Sequence, residues 1–142
     1  MILRPITLEL AASAEVQGSG FLKDLCASTI AMYPQGTAPL PWVGYLAEER
    51  GVPVGTCAFK TPPVAGEVEI AYFTFPGHEG RGVATRMAQR LIQVAAASGA
   101  TLIKAQTLPE ANASTRVLEK LGFRLVGPVM HPEDGEVWEW HR

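Results

Sequence analysis

Apolar and polar residues alternate in some stretches of the chain and recur three and four apart in others, and this change of period divides it into elements. Ile6 to Ala11 alternates, which predicts a first strand. Glu15 to Met32 carries helix-forming residues with Val16, Phe21, Leu22, Leu25 and Ile30 as its apolar positions, although Gly18 and Gly20 weaken the start. Tyr33 to Pro41 is rich in proline and glycine and predicts a loop. Trp42–Ala47 and Val54–Lys60 read as two strands of a hairpin around Glu-Glu-Arg-Gly. Glu67–Phe75 is a strong strand, with Val68 and Ile70 on one side and Glu67 and Glu69 on the other. Arg81 to Ala97 is the clearest helix: Val83, Ala84, Met87, Leu91 and Val94 share a face, opposite Arg86, Arg90 and Gln93.

Beyond that helix, Thr101–Gln106 is a short apolar strand, and Asn112 to Leu121 is helical, stopped by Gly122 with Phe123 after it. Leu125–Met130 and Glu136–Trp140 predict a last strand pair around His-Pro-Glu-Asp-Gly. The order β-α-β-β-β-α-β-α-β-β shows no repeat and no linker. It predicts one α+β domain over residues 1–142, with a single mixed, mostly antiparallel sheet flanked by helices.

Composition agrees with an ordinary packed domain: 142 residues, 47% hydrophobic and 18% charged. The longest uncharged stretch, Leu25 to Ala47, contains three prolines, which argues against a membrane span. The first residues lack the layout of a signal peptide. Cys26 and Cys57 lie far apart, with no CxxC and no neighbouring histidine. Two buried thiols in a reducing cytoplasm, and no metal, are expected.

The formal net charge of -2 gives no reason to expect nucleic acid as a partner. That total conceals a contrast. Residues 1–80 hold four Lys or Arg against eight Asp or Glu, whereas residues 81–124 hold seven against two. Residues 125–142 turn acidic again, with one Arg against four Asp or Glu. A basic block can be a solvated face, and it becomes an anion site only where geometry supports it.

Such geometry is expected where Phe75-Pro76-Gly77-His78-Glu79-Gly80-Arg81-Gly82-Val83-Ala84-Thr85 joins the strongest strand to the strongest helix. A glycine-rich turn at a helix start points backbone N–H groups and the helix dipole at an anion. The GxxxxGK[ST] loop is absent. A dinucleotide fingerprint fails too, because Thr85 stands where its third glycine belongs and no Asp or Glu occurs between Arg81 and Pro109.

Glu79-Gly80-Arg81-Gly82-Val83-Ala84 instead resembles the [Q/R]xxGx[G/A] loop of the GNAT superfamily of acyl-CoA-dependent N-acyltransferases. Two neighbouring segments strengthen the likeness. Glu69-Ile70-Ala71-Tyr72-Phe73-Thr74-Phe75 resembles the preceding strand in the branch of ribosomal-protein N-acetyltransferases, and Thr107 to Phe123 resembles that branch's last conserved helix. Two departures stand out. Glu79 replaces the usual Gln or Arg, and Leu118 occupies the position of the tyrosine that often serves as general acid.

The resemblance implies acetyl-CoA as co-substrate, an amine as acceptor and direct transfer. For the cofactor it implies Gly80, Arg81, Gly82, Val83, Ala84 and Thr85 in the loop. Backbone groups around Tyr72 to Phe75 would hold the pantetheine arm, with Phe73 and Phe75 as contacts, and Asn112 is a further contact. Glu69 is the candidate base, competing with a reading as a solvated strand carboxylate, and Glu67 ranks after it. Ser114 is the candidate partner of the thiolate, competing with a role as a capping hydroxyl. A catalytically idle acyl-CoA-binding regulatory or sensor domain needs the same loop and stays open, as does a nucleotide-binding module. An exposed edge strand would allow a homodimer.

Overall fold

The computed structural model describes residues 1–142. Strand β1 (Ile2–Pro5) leads into helices α1 (Leu8–Ala11), α2 (Ala14–Gln17) and α3 (Gly20–Ala31). Strands β2 (Gly44–Glu49), β3 (Val52–Phe59) and β4 (Glu67–Thr74) follow, then helix α4 (Val83–Ala97) and strand β5 (Leu102–Thr107). Helix α5 (Ala113–Lys120) and strands β6 (Arg124–His131) and β7 (Gly135–His141) complete the chain. The seven strands form one sheet in the order β1-β2-β3-β4-β5-β7-β6. Only β4 and β5 pair in parallel. The architecture is the expected α+β fold with a single mixed, mostly antiparallel sheet.

The N-terminal expectations need correction. Residues expected as the first strand form α1 instead, and the strand lies earlier in the chain. The apparent alternation of Ile6, Leu8 and Leu10 conceals a helical spacing. Ile6 and Leu10, four apart, are buried, while Leu8 is 64% exposed. Thr7 settles the matter by accepting the Leu10 N–H at its Oγ1, an N-cap. The helix expected over Glu15 to Met32 is two helices: Gly18 ends α2, and the Ser19 hydroxyl caps α3 by accepting the Leu22 N–H. The hairpin expected around Glu-Glu-Arg-Gly turns on two residues, Arg50 (φ 54°) and Gly51 (φ 76°), the left-handed pair that suits a tight hairpin.

Two cores sandwich the sheet. The larger joins α4 and α5 to one face through Val68, Ile70, Met87, Leu91, Leu118 and Trp140, all buried. The smaller packs α1 to α3 on the other face around Ile6, Leu22, Cys26, Leu46 and Phe75. Gly55 marks how closely α4 approaches β3, because a Cβ there would lie 2.8 Å from the Met87 sulfur. Both cysteines are free and buried. No helix is long and apolar enough to cross a membrane, and no group of three or more metal-ligating side chains gathers.

Candidate active site

The parallel pair at the centre of the sheet is short. β4 and β5 are in register from Glu67↔Leu102 to Ile70↔Ala105, and there the pairing stops. β4 nevertheless continues to Thr74 and β5 to Thr107, so beyond Ile70 and Ala105 the two strands part. β5 still pairs with β7 through Gln106↔Glu139 and Thr107↔Trp138. The result is a wedge-shaped gap within the sheet, bounded on the β4 side by backbone with no strand opposite.

Which β4 groups face the gap follows from the ladder on the other side. The Lys60 N–H donates to Glu69 O, and the Phe75 N–H donates to Val54 O. Odd-numbered residues of β4 therefore turn their backbone toward β3. Tyr72 and Thr74 turn theirs into the gap. Phe73 and Phe75 thus spend their backbone groups on β3, and within the expected segment Tyr72 to Phe75 the backbone left facing the gap is that of Tyr72 and Thr74. The Phe75 side chain is buried in the smaller core, 4.9 Å edge-to-face from Phe21, whereas Phe73 is half exposed.

Past β4 the chain makes the glycine turn. Gly77, Gly80 and Gly82 all have positive φ, at 90°, 75° and 77°. A Cβ on Gly80 would meet nothing within 4 Å, so its backbone is open to a ligand. Gly82 is the N-cap of α4 and offers no side chain, which leaves the first N–H groups of the helix free for an anion. Val83 is buried and can present only its backbone, while Ala84 and Thr85 are half-buried on the first turn. Glu79 folds back on the loop, its Oε2 accepting the Gly77 N–H at 2.9 Å.

The arginines divide their labour. Arg86 makes a forked contact with Glu49, Nε and Nη2 donating at 2.7 and 2.8 Å, and its Nη1 donates to Arg81 O. That hydrogen bonding is the main reason the Glu49 carboxyl is held below its usual range. Arg86 therefore ties the loop to the end of β2 rather than presenting free charge. Arg90 donates to Met1 O. Arg81 is exposed and, with Arg50 and His78, borders a hollow of about 530 Å³ beside the loop.

Glu69 lies on the sheet face opposite α4 and one position before the parting of β4 and β5. Its Oε2 is 2.7 Å from Lys60 Nζ, yet this buried oxygen accepts no aligned hydrogen bond. Glu67 pairs with Lys104 at 3.2 Å. Ser114 sits on the other face, in the first turn of α5, so the fold does not bring it into contact with Glu69. Its Oγ is 3.0 Å from the Tyr72 hydroxyl. Burial raises the Tyr72 phenol above its ordinary value, opposed by the hydrogen bond with Ser114. Asn112 caps α5: its Oδ1 accepts the Thr115 N–H, and Thr115 Oγ1 accepts the Asn112 N–H. Leu118 is fully buried, and the C-terminus of α5 is closed at Gly122 (φ 87°), where the Phe123 N–H donates to Leu118 O.

Sequence reasoning gave the segment Tyr72 to Phe75 but not which of its residues turn their backbone into the gap. Alternation along β4 announces which side chains share a face, but backbone direction into a gap depends on where the neighbouring strand leaves. The face of the Tyr72 ring was also readable, because its position two after Ile70 puts it on the helix-covered side.

The model of the acetyltransferase (GNAT) domain family matches residues 2–124, and the chain belongs to this family. Solved structures share its fold. The ribosomal L7/L12 alpha-N-protein acetyltransferase RimL, in complex with coenzyme A, is 18% identical with a TM-score of 0.71, covering 99% of this chain and 92% of its own. A putative acetyltransferase from Salmonella typhimurium, with its cofactor acetyl-CoA, is 20% identical with a TM-score of 0.63, over 84% of this chain and 70% of its own. An aminoglycoside acetyltransferase in complex with coenzyme A and kanamycin is 21% identical with a TM-score of 0.63, over 70% of this chain and 65% of its own. A search of curated proteins returns no match to the sequence.

Proposed function

We propose that this single domain is an N-acetyltransferase that moves the acetyl group of acetyl-CoA directly to a primary amine, a protein N-terminus or a small amine. One observation carries the reading. The parted strands β4 and β5 open immediately before a glycine turn whose helix N-terminus is uncapped. A pantetheine arm laid in the gap would pair with the backbone of Tyr72 and Thr74, and its pyrophosphate would meet the N–H groups from Gly80 to Ala84. Arg81 and Arg50 would border the nucleotide end, beside the hollow at the loop. The two free buried thiols suit a reducing compartment such as the cytoplasm.

The two faces of the gap then take different tasks. The amine approaches from the Glu69 face, its nitrogen attacks the thioester carbonyl carbon, and the carbon–sulfur bond breaks. Glu69 takes the proton from the amine, directly or through water. A backbone N–H of β4 polarises the carbonyl oxygen. The sulfur leaves on the Ser114 face, where the serine hydroxyl can donate to it. Tyr72 stays protonated through the neutral range and can donate to Ser114 Oγ, freeing the serine proton for the sulfur. No tyrosine is needed on α5, where Leu118 belongs to the core.

The idle acyl-CoA-binding reading shares the loop but gives no use to Glu69. The test is therefore CoA release from acetyl-CoA against a panel of amines. With a confirmed acceptor, Glu69→Gln should lower kcat by about 10²–10⁴-fold with acetyl-CoA affinity near wild type. Glu67→Gln should change little. Acetyl-CoA binding without CoA release from any amine would leave the idle domain as the reading.

A further inference from the structure

The face of the sheet that carries Glu69 also carries an apolar cleft of about 200 Å³ beside the gap. The end of α3 forms one wall through Thr29, Met32 and Tyr33, and β3 and β4 form the floor through Ala58, Ala71 and Phe73. Ala71 and Phe73 flank Tyr72, so the floor ends where the backbone turns into the gap. The rim is apolar as well: Met32 is 69% exposed and Phe73 is 52% exposed. Large apolar side chains gathered at a concave opening mark a place where an apolar group is covered.

Charge at the cleft narrows the occupant further. The charged side chain in its lining is Lys60, a cation. The nearby carboxylates are already matched, Glu69 by Lys60 and Glu67 by Lys104. A molecule with several ammonium groups would meet Lys60 without finding spare carboxylates for its charges, and such a mismatch selects against it. A single amine finds one opening. Lys60 holds Glu69 Oε2 at 2.7 Å, but the carboxylate side chain is 21% exposed, so its other oxygen can accept from an incoming nitrogen. An apolar cavity of about 150 Å³ is enough to hold benzene.

Resting on the acetyltransferase reading above, we propose that the acceptor is a primary amine joined by a short link to an apolar group of about the size of a benzene ring. The ring lies between Met32, Ala71 and Phe73, and the amine reaches past Lys60 toward Glu69 and the thioester. The same chemistry is offered by a free arylalkylamine and by a peptide whose first residue is phenylalanine.

The experiment measures kcat/KM for CoA release by the full chain at fixed acetyl-CoA. The amines are 2-phenylethylamine, a Phe-Gly-Gly peptide, a Ser-Gly-Gly peptide, spermidine and kanamycin. The apolar amines should exceed spermidine and kanamycin by about tenfold or more, the range that burial of a few methylenes gives. Free amine against Phe-Gly-Gly tells which source is used. Ala58→Glu should reverse the order by placing a carboxylate in the cleft. Met32→Ala, at an exposed rim position that the fold tolerates, should lower kcat/KM for 2-phenylethylamine by about threefold or more and leave the KM for acetyl-CoA unchanged.

Preference of the wild type for spermidine or kanamycin, or equal rates across the amines, overturns the proposal while the acetyltransferase reading stands. Faster turnover with phenylacetyl-CoA than with acetyl-CoA would give the cleft to the acyl group and also overturn it. If no amine releases CoA, both readings fall together.

Discussion

Tyr72→Phe keeps the ring and removes only a hydroxyl, so it isolates what that hydroxyl does for Ser114. The oxygen lies 3.0 Å from Ser114 Oγ and 3.4 Å from Ser114 O, the first a well-formed contact and the second a marginal one. A neutral hydrogen bond is worth about 0.5–1.5 kcal/mol, and each 1.36 kcal/mol of barrier is about tenfold in rate. If Tyr72 acts by directing the serine proton at the departing sulfur, Tyr72→Phe should slow kcat by about two- to tenfold. Ser114→Ala should slow it by about tenfold, since water partly replaces a lost hydroxyl.

The double variant decides between a chain and two separate effects. In a chain, Tyr72 has nothing to direct once Ser114 has lost its hydroxyl, so the pair should be no slower than Ser114→Ala alone. The assay is CoA release at saturating acetyl-CoA and amine, with the Kd for CoA and Tm followed in parallel. The Kd should stay within about twofold, because the proposed pantetheine contacts are to backbone. Multiplicative losses would refute the chain, and so would an unchanged kcat in Tyr72→Phe beside a slow Ser114→Ala.

Two further predictions concern the loop. Glu49 has a folded pKa below its unfolded value because of Arg86, so the pair contributes stability above the ordinary glutamate range and loses it as pH falls through the lowered value. Glu49→Gln should cost no more than about 1 kcal/mol at neutral pH, since Arg86 is 42% exposed and water screens the pair. In urea melts the variant and wild type should converge once the pH falls below the lowered Glu49 value; a gap that persists there would contradict the linkage. Gly82→Val strains a residue at φ 77° and puts a Cβ 2.9 Å from the Arg86 guanidinium, so stability should fall by about 1–3 kcal/mol. Its affinity for CoA should weaken by about tenfold or more, and calorimetry showing wild-type affinity would move the ligand off this turn.

The sequence determined whatever depends on neighbours a few residues apart. Alternation of Val68 and Ile70 against Glu67 and Glu69 placed β4 and its two faces, and apolar spacing from Val83 onward placed α4, because period and burial are tied by local geometry. The glycine turn was legible for the same reason: its positive φ values and open backbone follow from residue type.

Local pattern failed at Ile6 to Ala11, where a spacing of two and a spacing of four coincide and only the Thr7 cap and the burial of Ile6 and Leu10 separate them. It placed Arg86 and Arg90 on the polar face of α4 but could not show that the end of β2 and Met1 claim them. Above all, only tertiary structure decided that β5 leaves β4 after Ala105 to stay with β7. That parting turns Tyr72 and Thr74 into the gap, sets Glu69 and Ser114 on opposite faces of it, and brings a β4 hydroxyl to a helix formed 42 residues later. No local period encodes such a contact, because it depends on which distant strand wins the pairing.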